Sequence, residues 1–174
     1  KVFCFTNLSQ DHLDYHKDMG TYFQSKLSIL DILSLDTKII VNIDDEYGKL
    51  FFAKAKNIGF KIETIGFSNI ANVKLRVQQG TSDIQSVEII KGELSYRFRT
   101  NLIGKFQVLN LGMALLTCET FGFELAQLVS YCNFLKPVPG RLEFVGKTNL
   151  GASIYVDFAH TPDGLKPVSY THLT

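Results

Sequence analysis

The chain has 174 residues, 45% hydrophobic and 20% charged, with a formal net charge of +1. That excludes an intrinsically disordered chain and leaves room for a sizeable core, one domain plus part of another. Near-neutrality excludes a global pull toward nucleic acid or a membrane surface, so any phosphate binding must be local.

Val2, Phe3, Cys4 and Phe5 predict a short buried strand. A polar loop follows, and Asp18 is placed to cap a helix in which Met19, Tyr22, Phe23, Leu27, Leu30 and Leu33 recur at helical spacing. At about 100° per residue, Lys26 falls inside the apolar arc of that helix. Two readings stay open for it: a packed stem with a snorkelling ammonium, or an amine held partly desolvated, whose neutral form can react. Lys38 to Ile43 is a continuous apolar run, the pattern of a strand covered on both faces. Asp44, Asp45 and Glu46 then open a second helix that stops at Gly59, and Lys61 to Phe67 is a third strand. The pattern up to this point is that of a parallel α/β sheet.

Alternation then replaces the apolar runs. Val73, Leu75 and Val77, the segment 84–90, and Leu94, Tyr96 and Phe98 predict an antiparallel meander with one wet face. Two helices follow, one from about Gln107 to Phe121 and one presenting Leu125, Leu128, Val129, Cys132 and Leu135 on one face. The fold class is therefore α/β, a mostly parallel sheet flanked by helices with a small antiparallel meander. KPVPGR, residues 136–141, reads as a stiff linker. Strands at Leu142–Val145 and Ala152–Val156 would begin a second unit. The expected division is 1–138, then 139–166, with the VSYTHLT ending placing 167–174 as a non-native tail. Cys4, Cys118 and Cys132 sit among apolar neighbours and predict buried free thiols in a reducing compartment. No apolar run approaches the roughly 20 residues of a membrane helix, and no signal peptide is read. The chain opens directly on a strand without Met, which suggests that an N-terminal part is missing.

Several polar groups lie where α/β sheets carry sites, just past the carboxyl ends of strands. His12, Asp14 and His16 follow the first strand as either metal ligands or a polar capping loop. Asn42, Asp44 and Asp45 end the second, facing a ribose, a metal or only a helix N-terminus. Asn110 falls among Val108, Leu109 and Leu111, where a buried amide either ties to backbone or reads a base edge. Arg141, after the Pro-Gly pair, is placed to reach a phosphate or ribose. Asp157 ends a strand, and His160 is an acid/base candidate or a solvated loop residue. There is no G-x-x-x-x-G-K-[ST] loop, no G-x-G-x-x-G and no C-x-x-C.

Taken in order, TNLSQDHLDYH (6–16), Lys26, VNIDDEYG (41–48), LIGKFQVLN (102–110), PGRLEFV (139–145) and VDFAHTPDGL (156–165) resemble the Mur ligases. Within that family they are most similar to the branch that adds the third amino acid of the peptidoglycan stem. The resemblance covers nearly the whole chain before residue 167. It implies most of a central ATPase domain and the start of a Rossmann-like C-terminal domain, with the phosphate loop upstream. The implied chemistry is ATP-dependent amide formation on UDP-MurNAc-dipeptide through an acyl phosphate. The amine comes from meso-diaminopimelate or L-lysine, and the enzyme is cytoplasmic and monomeric. By resemblance His12 ligates Mg²⁺, and Lys26 is carbamylated and helps hold that ion. Asn110 lies by the adenine, and Arg141 and Asp157 reach the nucleotide. A carbamate forms on a neutral amine and supplies a hard oxygen anion, which suits Mg²⁺. Lys17, Gln107, Phe158 and Ile43 depart from the glycine, asparagine, tyrosine and alanine usual at those places. Alternatives are the D-Ala-D-Ala-adding ligase, a folylpolyglutamate synthase, or a non-catalytic α/β binding module.

Overall fold

A computed structural model describes residues 1–9, 18–81, 84–161 and 164–165. Six strands form one sheet in the order β1-β2-β3-β4-β5-β6: β1 Val2–Phe5, β2 Lys38–Asn42, β3 Lys61–Gly66, β4 Val73–Thr81, β5 Ile84–Lys91 and β6 Leu94–Thr100. The pairs β1–β2, β2–β3 and β3–β4 are parallel, the last over a short stretch from Ile65↔Val73 to Gly66↔Lys74. β4–β5 and β5–β6 are antiparallel, the expected meander. Among the described residues the sheet is accompanied by α1 Met19–Leu27, α2 Glu46–Ile58, α3 Lys105–Thr120 and α4 Leu125–Ser130. The two strands expected after the linker are present as β7, Glu143–Lys147, and β8, Ser153–Val156, and they pair antiparallel in a second sheet.

The apolar run of β2 works as two cores back to back. Successive strand side chains point to opposite faces. Ile39 and Val41 therefore pack with Phe5, Phe23, Phe51 and Ala55 on the α1–α2 side. Ile40 packs with Ile65, Leu75, Val108 and Leu111 on the α3 side. Phe51 of α2 is fully buried, its ring 4.6 Å from that of Phe5 and 5.6 Å from that of Phe3. Offset rings at that spacing add to area burial.

Helix ends follow their local chemistry. Asp18 accepts from the Thr21 N–H at 2.7 Å, the anticipated cap of α1. Gly59 closes α2 in the left-handed conformation at φ 103°. α1 is shorter than its periodicity suggests: it gives way at Ser28–Asp31 to a 3₁₀ turn. The tighter winding there still buries Leu30; within α1 itself only Phe23 is buried, and Lys26 is exposed. The cysteines are free, but only Cys132 is buried; Cys4 and Cys118 are half-buried, a correction to the reading of three buried thiols. Cys4 lies 3.3 Å from the Thr117 hydroxyl at the sheet–α3 boundary.

Glu63 on β3 is the charge centre of the sheet. Its two oxygens meet Lys38 at 2.6 Å and Lys91 at 2.7 Å, and Lys91 also reaches Glu119 on α3 at 2.6 Å. Burial alone would push the Glu63 carboxyl up; hydrogen bonds from the two lysines outweigh it and hold it below the ordinary value of 4.5.

Candidate functional site

A cleft of about 460 Å³ lies at the carboxyl ends of β1 and β2. Asn110 comes to it from α3, Arg141 from the linker, and Asp157, Phe158 and His160 from the segment after β8. Asn7 and Asn42, from the ends of β1 and β2, also line it. Four residues singled out in sequence, Asn110, Arg141, Asp157 and His160, are thus brought together from three separate elements. The position matches the crevice where open α/β sheets take ligands.

On the linker side of the cleft main-chain N–H groups are held mostly by side-chain carboxylates. The Gly140 N–H donates to Glu143 at 2.8 Å, and Arg141 N–H donates to the Val138 carbonyl at 3.0 Å. Leu142 is buried with φ 45°, a left-handed conformation that costs a residue with a Cβ about 1–2 kcal/mol. Its N–H donates to the Asp157 carboxylate at 2.7 Å, and the other Asp157 oxygen accepts from Ala159 N–H at 2.7 Å. Asp157 therefore does a structural task beside its place in the cleft. Gly140 has φ 68°, and the Phe158 ring lies where a Cβ would project, 2.1 Å from the nearest ring carbon. Arg141 itself is exposed, a cation on a fixed main chain.

The reading of Asn110 as buried is corrected: its side chain is exposed in the cleft. At about 100° per residue it stands roughly 200° around α3 from Val108, away from the face that Val108, Leu111 and Leu115 bury. The buried amide on this helix is Gln107, which donates to the Ile103 carbonyl at 3.1 Å and the Arg141 carbonyl at 2.9 Å. Sequence reasoning noted Gln107 only as a departure from a usual asparagine.

Lys26 lies elsewhere, in a groove of about 550 Å³ between the end of β1 and α1 that also holds Thr6, Asn7, Ser25 and Tyr22. Of the two readings left open for Lys26, the partly desolvated amine is not what the fold provides, because the residue is exposed. Its Nζ stands 5.2 Å from the centre of the Tyr22 ring. Asn7 lines both this groove and the cleft, so the two meet along the loop after β1.

The two acids after β2 part company. Asp45 caps α2, accepting from Gly48 N–H at 2.8 Å; burial pushes its carboxyl above the usual range against the pull of that bond. Asp44 accepts from Phe67 N–H at 2.5 Å and Ser68 N–H at 2.9 Å, pinning the turn after β3. Asp45 thus takes the capping alternative of the sequence reading, whereas Asp44 binds main chain after β3. His160 Nδ1 is 3.0 Å from the Phe158 carbonyl, and the side chain is exposed. His12, Asp14 and His16 lie outside the described residues. Among the described residues no three His, Cys, Asp or Glu side chains gather as a metal cluster. No described helix is long and apolar enough to cross a membrane.

The family profile described as the Mur ligase middle domain matches residues 1–118. The UDP-N-acetylmuramoyl-L-alanyl-D-glutamate–2,6-diaminopimelate ligase of Zymomonas mobilis is 37% identical over 164 residues, covering 93% of this chain and 33% of its own length. The corresponding ligase 1 of Clostridium acetobutylicum is 37% identical over 166 residues, covering 94% and 33%. The chain thus spans about a third of the length of the curated relatives it matches. A solved structure of a ligase of the same name superimposes with a TM-score of 0.77 at 28% identity, over 98% of this chain and 35% of that one. MurF from Acinetobacter baumannii gives a TM-score of 0.82 at 17% identity over 98% of this chain and 36% of that one, a likeness of fold alone. With its α/β architecture and the profile match over residues 1–118, the chain belongs to the Mur ligase family.

Proposed function

We propose that this chain is the nucleotide-closing portion of a cytoplasmic ATP-dependent amide ligase that adds the third amino acid to UDP-MurNAc-L-Ala-D-Glu in peptidoglycan synthesis. The carrying observation is the convergence of Asn110, Arg141 and Asp157 on one cleft at the carboxyl ends of β1 and β2. In this reading ATP phosphorylates the terminal carboxylate of the dipeptide, and the amine of a diamino acid attacks the acyl phosphate. The tetrahedral intermediate collapses to amide and phosphate, with ADP left behind. The names of the similar ligases favour 2,6-diaminopimelate as that amine.

The residues divide the work by chemistry. The planar Arg141 guanidinium pairs with phosphate or ribose oxygens, which its fixed main chain keeps within reach. The exposed Asn110 amide hydrogen-bonds an adenine edge. Asp157 holds the Leu142 turn and so keeps the cleft wall in place. Closure of the second unit over the first excludes water from the acyl phosphate.

By resemblance the Mg²⁺ ligand would be a carbamate on Lys26, whose exposed amine lines a groove with Thr6, Asn7 and Ser25; a carbamate is the hard oxygen donor that ion prefers. His12 and that carbamate would hold the ion, which when bound supplies charge neutralisation to the transferring phosphoryl group.

Two measurements test the proposal. ADP should bind the full-length parent, and Arg141→Ala should weaken it by roughly 5- to 150-fold, the loss of one charge-assisted contact of about 1–3 kcal/mol. Phosphate release should depend jointly on ATP, UDP-MurNAc-dipeptide and diaminopimelate. Release with D-Ala-D-Ala in place of diaminopimelate, or binding without any release, would replace the proposal with the sibling ligase or the non-catalytic module. The 174-residue chain alone, lacking a phosphate-loop motif, is expected to show no turnover.

A further inference from the structure

We propose that Gln107 is a positioning residue for the cleft: by holding the Arg141 carbonyl it aims the Arg141 guanidinium at a bound nucleotide. This rests on the nucleotide reading above. Gln107 is only 7% exposed, and its amide nitrogen donates to two carbonyls, Ile103 just ahead of its own helix and Arg141 in the linker 34 residues later. The second bond ties α3, the bearer of Asn110, to the peptide that bears Arg141.

The surrounding bonds make that tie consequential. Arg141 N–H is held by Val138, its carbonyl by Gln107, and the next N–H, that of Leu142, by Asp157. The peptides on both sides of the Arg141 Cα are thereby committed, and the Cα–Cβ direction is set. Leu142 is in a left-handed conformation that an untethered chain leaves readily. Of these anchors, Val138 and Asp157 belong to the linker and the second unit. Gln107 relates that assembly to the sheet and to the opposite wall of the cleft. The contact goes to main chain, so it leaves the guanidinium free for a ligand.

A purely structural role would also cost stability, so the test must read Arg141. ADP affinity is measured by calorimetry on the full-length parent, on Gln107→Leu, on Arg141→Ala and on the double variant. Gln107→Leu keeps the bulk, loses both donors and should bind about tenfold more weakly, equivalent to about 1.4 kcal/mol. In the Arg141→Ala background the same change should have no further effect. Hydrogen exchange at the Leu142 amide should quicken in Gln107→Leu without ligand. If Gln107→Leu does not fold, Gln107→Asn replaces it, since it keeps the amide but is one methylene shorter. Equal weakening in both backgrounds, or undiminished affinity in the single variant, would overturn the positioning role while leaving the nucleotide reading intact. An Arg141→Ala protein that binds ADP as tightly as the unmodified one would instead remove the nucleotide reading and this inference with it.

Discussion

Replacing Gly140 by alanine should loosen the linker, and the expected size can be built from its parts. The residue has φ 68°, where a Cβ costs about 1–2 kcal/mol. Alanine also narrows the unfolded ensemble, which returns about 0.4–1 kcal/mol. The conformational balance is therefore a loss of roughly 1 kcal/mol. The added Cβ would stand 2.1 Å from Cε2 of Phe158, an overlap that must be relieved by moving the ring. Phe158 is 65% exposed, so it can swing aside and forfeits only part of its packing. We expect a total near 1–2 kcal/mol, a 5- to 30-fold rise in the open population of this segment. Hydrogen exchange at Leu142 and Phe158, whose N–H groups go to Asp157 and to the Gly140 carbonyl, reads that opening directly. Adding Phe158→Ala should remove the steric share and return about half the loss. Unchanged or slower exchange in Gly140→Ala would refute the reasoning, since it would mean that neither the backbone angle nor the ring contact constrains this position.

Three further outcomes follow from the charges and thiols. The pairing of Glu63 with Lys38 and Lys91 depresses its carboxyl, so its stabilisation is complete above pH 4.5 and fades as pH falls through the lowered value; Glu63→Gln should flatten the acid limb of a urea-unfolding series and cost about 1–2 kcal/mol at pH 7, below the 3–5 of a fully buried pair. Asp45→Asn keeps an N-cap acceptor and removes a buried charge, so stability at pH 7 should be equal or higher, whereas Asp45→Ala should lose about 1 kcal/mol by thermal unfolding. Burial raises the Cys132 thiol to about 11, so iodoacetamide near pH 8 should label Cys118 or Cys4 well before Cys132, as read by peptide mass spectrometry.

Much of the sheet was legible because its signals are local. Continuous apolar runs marked the strands covered on both faces, alternation marked the meander, and Asp18, Asp45 and Gly59 marked helix ends. Burial of single polar side chains was harder. Lys26 and Asn110 each have apolar neighbours in sequence, yet both are exposed: in α1 only Phe23 is buried, and Asn110 stands about 200° around α3 from Val108. Gln107 has the same local setting as Asn110 and is buried, because its partner lies 34 residues away on a linker whose path depends on the left-handed Leu142. No periodicity encodes that contact. Asp157 could be placed at a strand end, but its grip on the Leu142 N–H needed the folded chain.

The order of the large sheet bears on how the polypeptide comes together during synthesis. Each strand from β2 to β6 lies beside its immediate predecessor, so none of these has to wedge between two already joined. As the nascent polypeptide leaves the ribosome, each new strand can dock on the one that emerged before it, with modest loop-closure cost. The growing margin stays open to misassociation only until the next segment arrives.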